Sequence, residues 1–230
     1  MSKVINLVES HVGKAGTSLF ACFLLDFLTD PRFKRCDPII VDLDKRNPDV
    51  ATRYRSTCKT EDRISLNPPD HKRTSSIDYL LELAYGNDTQ VVVNVPSGSI
   101  DIIQAFVEAN DFPPITLRRW FVSNLDAKSW KIFEEINGFV EDTFTPILVH
   151  NLIDGLIMSE EQLEYCSVNG ITVVKISWLQ LPDKDIKILE DNSEIPLGKA
   201  IPLLSEMGQK RLKVHSERIF QHLYPIVIGS

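Results

Sequence analysis

Lys3–Leu28 reads KVINLVESHVGKAGTSLFACFLLDFL, and the parsing of this stretch decides the fold. Val4, Ile5, Leu7 and Val8 form a short apolar strand, and Gly13, Lys14 and Gly16 sit in the polar loop after it. From Thr17 or Ser18 to Leu28 the chain is apolar on nearly every side, which predicts a helix covered all round. Strand, glycine loop, helix is the layout of a phosphate-binding loop, in which backbone N–H groups and a helix N-terminus receive the anion. The full pattern G-x-x-x-x-G-K-[ST] is missing, because no register of this loop keeps both its lysine and its hydroxyl. A loop that only turns the chain from strand to helix is the competing reading.

Outward from this stretch, apolar runs and helical patterns alternate. Asp37–Asp44 is a second buried strand ending in two acids, and Val50–Tyr54 starts a short helix. Residues 55–74 are a polar surface excursion, followed by a helix over Ile77–Tyr85 with its apolar residues on one face. A strand at Gln90–Val95 runs into Pro96-Ser97-Gly98-Ser99 and a helix at Ile100–Asn110; then come strand Thr116–Val122 and helix Ala127–Ile136. Strand Pro146–His150 ends in Asn151, with helix Ser159–Ser167 and strand Ile171–Ile176 beyond it. Ser177–Asn192 reads as irregular, and helices at Pro196–Leu204 and Glu206–Leu223 close the chain. The last helix places Leu212, His215, Ile219 and Leu223 on one stripe that docks on the domain. Strands and helices thus alternate about six times, the pattern of a doubly wound, mostly parallel α/β sheet covered on both faces. Ligands of such sheets bind at the carboxyl ends of the strands. The informative loops are therefore 9–18, 42–47, 94–99, 123–126 and 151–155.

Whole-chain properties narrow the function classes. With 230 residues, one domain over 1–230 buries a sizeable core without a second. A net charge of −7 argues against a wholly basic nucleic-acid face, though Arg118-Arg119, His71-Lys72-Arg73 and Lys210-Arg211-Leu212-Lys213 are local basic clusters able to touch a DNA backbone. No apolar run approaches the roughly eighteen residues of a membrane span. The N-terminus shows no secretory signal, and Cys22, Cys36, Cys58 and Cys166 lie too far apart for a zinc or disulfide framework, so a cytoplasmic protein with reduced thiols is expected. The five histidines lack zinc spacing, and neither G-x-S-x-G nor G-x-G-x-x-G occurs.

Taken in order, these loops resemble those of the MinD/ParA-type P-loop ATPases, whose deviant loop reads KGGxGK[ST]. The resemblance covers most of the chain and implies the P-loop NTPase fold. Within that group, Asp42-Leu43-Asp44-Lys45-Arg46-Asn47-Pro48-Asp49-Val50-Ala51-Thr52-Arg53-Tyr54 is similar to the acidic, Pro- and Asn-containing turn, followed by an aromatic residue, of TraL/MobD-like accessory proteins of conjugation and mobilisation.

Two registers of the loop compete. In one, Glu9–Ala15 stands on KGGVGKS, so that Lys14 is the phosphate lysine, Ala15 replaces the metal-binding hydroxyl and Glu9 the signature lysine. In the other, Val12–Ser18 stands on it, which keeps Ser18 as the hydroxyl and puts Thr17 in place of the lysine. The second is preferred, because it starts the helix at Thr17 or Ser18. Either way a group that neutralises charge during phosphoryl transfer is lost.

As the resemblance implies, Lys14, Asp42 and Asp44 are the catalytic candidates, the acids orienting water or metal. Gly13, Lys14, Gly16, Thr17, Ser18 and Asn151 are the nucleotide-binding candidates, with Asn151 on the adenine ring. Ser18 and Asn94 are the magnesium candidates. The family has an acid at the end of the third strand; Asn94 there still hydrogen-bonds but brings no charge to a cation, so metal affinity falls. Asp42 and Asp44 as solvent-facing charges, and Asn151 as a plain turn residue, are the competing readings. The function implied is a MinD/ParA-like protein of plasmid or conjugative DNA maintenance or transfer, with weak or absent ATP hydrolysis. Its cofactors are ATP and Mg²⁺, or none if the site is fully degenerate. Its partners are a second copy, a plasmid or conjugation protein, or DNA. An active Mg-ATPase with an unusual loop and a scaffold that binds only a protein partner are the alternatives.

Overall fold

The computed structural model describes residues 3–13, 15–33, 36–44, 47–61, 73–87, 89–98, 115–140, 144–152, 155–177 and 179–228. Their elements are, in order, β1 (Val4–Glu9), α1 (Thr17–Thr29), β2 (Ile39–Asp42), α2 (Asp49–Tyr54), β3 (Lys59–Thr60), α3 (Arg73–Asn87), β4 (Gln90–Asn94) and β5 (Thr116–Ser123). After these come α4 (Ala127–Val140), β6 (Thr145–Asn151), α5 (Glu160–Val168), β7 (Thr172–Ile176), α6 (Asp183–Asp191), α7 (Leu197–Ala200), a 3₁₀ turn (Ile201–Leu203) and α8 (Glu206–Val227).

The strands make one seven-stranded sheet in the order β3-β2-β4-β1-β5-β6-β7, and every pairing is parallel. β1 lies in the middle, where the chain has built one half of the sheet and crosses to the other. A strand buried on both faces reads as a continuous apolar run, which is why β1, β2 and β4 were legible. One face carries a core of α1, α2 and α8 residues over Val8, Trp120 and Val149. The other is covered by α3 over Ile5, Leu7 and Val93, and by α4 and α5 over Phe121 and Leu148.

α1 is apolar all round because the sheet lies beneath it and α2, α7 and α8 lie around it. Phe20, Phe23, Leu24, Leu25 and Phe27 are fully or almost fully buried. Each contributes about 1.5–3 kcal/mol of hydrophobic stabilisation. Phe20 packs on Trp120 at 5.4 Å, and the Trp120 indole Nε1 donates to Asn6 Oδ1 at 3.0 Å, so the start of α1 is keyed to β1 and β5. The α8 stripe docks as expected: Leu212, His215, Ile219 and Leu223 are buried, with His215 against Phe23 at 5.1 Å. Burial, aided by Arg218, pushes the His215 pKa down to about 4.

Four sequence expectations need correction or restriction. Residues 177–192 are not irregular throughout, since Asp183–Asp191 is helical; it is a polar helix starting after Pro182, with Asp185 its one buried residue. Arg118-Arg119 is no DNA-facing cluster: the two residues are 3% and 0% exposed, on opposite faces of a central strand. Arg119 Nε bonds the Glu9 carboxylate, and its guanidinium lies 5.2 Å from the Phe121 ring centre. The helix expected at Ile100–Asn110 lies outside the described residues. So does most of the excursion at 55–74, which places β3 at Lys59–Thr60 before it leaves the described residues.

Candidate functional site

The loop after β1 is shaped by Gly16. Its φ of 92° lies in the left-handed region, where a side chain is strained, and an added Cβ would come within 2.8 Å of Asn151 Nδ2. Helix α1 begins at the next residue, so Thr17 and Ser18 occupy its first turn. No side chain caps this helix, and its first turn contains no acid. The N–H groups that open α1 are thus left without intrahelical or capping partners, on the side that lines the cleft.

Internal hydrogen bonds hold the loop. Thr17 Oγ1 donates to Ser10 Oγ at 2.7 Å, and Ser10 Oγ donates to the Val12 carbonyl at 3.0 Å. Asn151, at the end of β6, donates from Nδ2 to the Ala15 carbonyl at 2.8 Å. Behind the loop the segment after β4 is pinned by Val95 N to Val8 O at 2.9 Å and by Gly98 N to Ser10 O at 3.2 Å. Lys14 lies outside the described residues.

Asp42 is consumed by structure. Its Oδ2 accepts from the Val50 and Ala51 N–H groups at 3.1 and 3.0 Å, which caps α2. Its Oδ1 accepts from Asn94 Nδ2 at 3.0 Å and from Asp44 N at 3.2 Å. Burial pushes the Asp42 carboxyl upward, against four donors that favour the ionised form. Asp44 is half-buried and lines the cleft, where its Oδ1 accepts from Asn47 N at 3.2 Å. Tyr54, the aromatic residue after this turn, is a core strut whose hydroxyl donates to the Cys22 carbonyl at 2.8 Å.

One residue that the sequence reading passed over belongs to the site. Asp49 opens α2, accepts from Val50 N at 2.8 Å and lines the same cleft as Ser18. Burial raises its pKa, with Asp44 adding to the rise and the nearby Ser18 hydroxyl opposing it. An acid directly after Pro48 at a helix start is a recognisable pattern; its place in one cleft with Ser18, across the sheet end, is not.

Together these residues enclose a cleft of about 390 Å³, with Ser10, Thr17 and Ser18 on one side, Asp44 and Asp49 on a second, and Asn94 at the base. Asn94 is 3% exposed, and its Oδ1 has no hydrogen-bond partner. The structure thus brings Gly13, Gly16, Thr17, Ser18, Asp44 and Asn94 to one cleft, with Asn151 behind Gly16 and Asp42 beneath Asn94. Its oxygen donors suit a hard divalent cation, and the open start of α1 suits a phosphate.

No family model matches the chain, and no curated protein matches it in sequence. Solved structures do match in fold. One is a nucleotide-binding protein from Archaeoglobus fulgidus in complex with ADP, with cobalt present: 13% identity, TM-score 0.50, covering 86% of this chain and 88% of that one. Another is a protein of Borrelia burgdorferi B31 described as a plasmid partition protein, bound to AMPPNP: 12% identity, TM-score 0.55, covering 99% and 100%. The fold is that of the P-loop nucleotide-binding proteins. Among the described residues no helix is long and apolar enough to cross a membrane.

Proposed function

We propose that this chain is a MinD/ParA-like protein of plasmid or conjugative DNA maintenance or transfer, working as a nucleotide-responsive binding protein with little or no ATP hydrolysis. The observation that carries the reading is the state of the cleft. The start of α1 is open to a phosphate, while Asp42, Thr17 and Asn151 are all engaged in holding the scaffold. Phosphoryl transfer needs charge neutralised at the phosphates and an oriented nucleophile. In this cleft a nucleotide would be held by Gly13, Gly16 and the N–H groups of Thr17 and Ser18, and Mg²⁺ by Ser18, Asn94 and the nearby acids. The cation would supply charge neutralisation.

The TraL/MobD-like form of the reading rests on the Asp42–Tyr54 turn, and the Borrelia neighbour's description supports the plasmid setting. A homodimer and DNA contact belong to the same reading. With Arg118 and Arg119 buried, the cluster on α8 keeps Lys210, Arg211 and Lys213, and Lys210 and Arg211 line with Arg218 a separate pocket of about 420 Å³ beside the β7–α6 loop.

Calorimetry with ATP, ADP and GTP in the presence of Mg²⁺, alongside a phosphate-release assay, tests the proposal. Nucleotide binding without turnover above background is the expected result. Magnesium-dependent ATP turnover abolished by Lys14→Ala would establish an active ATPase in the first register. Absence of any nucleotide binding would leave a scaffold that recognises only a protein partner.

A further inference from the structure

A second cavity, of about 630 Å³, lies at the end of α1 remote from the phosphate loop, walled by the last turn of α1, the turn after α2, α7 and α8. Its volume falls among those of small-molecule sites, about 300–1,000 Å³. Six charged side chains line it, three acids and three cations, and only half of them pair with one another. Arg32 takes Asp30 and Glu217, each at 2.7 Å. Asp26, Lys199 and Lys213 form no ion pair among the described residues. Asp26 is half-buried, whereas both lysines are exposed, so the acid lies deeper than the cations. Gly198 lets the α7 backbone close on that acid: its N–H reaches Asp26 Oδ2 at 2.8 Å, and an added Cβ would stand only 3.4 Å from the same oxygen. Burial pushes the Asp26 carboxyl up to about 6, the mark of an acid sheltered from water and short of a cationic partner. Arg53 offsets this only in part, its guanidinium being spent on the Leu189 and Ile195 carbonyls.

We propose that this cavity binds a small zwitterion of the α-amino acid class, its ammonium on Asp26 and its carboxylate on Lys199 and Lys213. The site is separate from the nucleotide cleft and goes beyond the function proposed above. A sheltered carboxylate gains most from an ammonium, which supplies both the opposite charge and the hydrogen bonds that burial withholds. A simple amine would carry its charge in past the two lysines, and a simple anion would meet Asp26 below them. A molecule with both charges on one short frame answers both ends, while Ser56 and Thr57 offer it hydroxyls and Phe220 an apolar wall.

The test titrates full-length protein, free of nucleotide, with each of the standard L-amino acids singly in an isothermal titration calorimeter. Binding of one molecule per chain is expected for at least one of them. The N-acetyl and carboxamide derivatives of that amino acid, each lacking one of the two charges, bind more weakly by about tenfold or more. Asp26→Asn keeps an acceptor for the Gly198 N–H but removes the charge, and weakens binding by about tenfold or more. The double variant Lys199→Ala with Lys213→Ala weakens it similarly, and serves as the second variant if Asp26→Asn fails to give a wild-type circular dichroism spectrum. Lys187→Ala, exposed on α6, changes nothing. No binding of any amino acid by wild-type protein overturns the proposal, as does wild-type affinity in the variants or equal affinity for the derivatives. No nucleotide is present, so each of these results leaves the nucleotide reading standing.

Discussion

The two ends of α1 handle polar groups in opposite ways. At its C-terminal end, Asp26 accepts the Gly198 N–H of α7 at 2.8 Å, and Thr29 Oγ1 donates to Leu25 O at 2.8 Å. Arg32, just past the helix, joins Asp30 and Glu217, each at 2.7 Å. These groups close the C-terminal elements onto the sheet. At the N-terminal end the helix has no side-chain cap, and Asn94 keeps an unpaired oxygen under the cleft. The same helix is therefore welded at one end and left chemically open at the other.

The largest effect should come from closing the open end by force. Gly16→Ala adds strain at φ 92° and drives Asn151 from the Ala15 carbonyl, for a loss of about 2–4 kcal/mol in urea unfolding. At the welded end the probe is pH. Burial raises the Asp26 pKa from 3.8 to about 6, so the unfolded chain ionises first. The stability that Asp26 contributes is complete below pH 3.8 and is lost as pH rises to about 6, on the order of 2–3 kcal/mol. Asp26→Asn should abolish that slope, so the variant gains on wild type between pH 4 and 7 in denaturant midpoints; parallel profiles would contradict the assignment. The smallest effect is expected for Thr17→Val, which removes the bond to Ser10. It should cost about 1 kcal/mol in thermal unfolding.

The open end was the more legible in sequence, because it is local. Gly13, Gly16, Thr17 and Ser18 lie in one short loop between an apolar strand and an apolar helix, and strand–helix alternation was enough to bring Asp44 and Asn94 beside them. Long-range polar pairing was not legible. Asp42 meets Asn94, and Asp26 meets Gly198, only after the sheet has ordered its strands. α6 escaped because its nine residues, DKDIKILED, carry only three apolar side chains, Ile186, Ile188 and Leu189, too short a run for its period to stand out in sequence. Arg118-Arg119 misled for a different reason: neighbouring charges suggest a surface patch, but in a strand they point to opposite faces, and here both faces are covered.

Helix α2 is six residues long, so Asp49 and Arg53 are separated by only about 6 Å of rise. Arg53 grips the Leu189 and Ile195 carbonyls at 3.0 and 2.7 Å, one at the end of α6 and the other just before α7. The element touching the cleft and the element touching the C-terminal segment are therefore one rigid rod. A tilt of that rod at Asp49 is also a tilt at Arg53, which makes the α6–α7 corner the natural place for a spectroscopic label that reports what occupies the cleft.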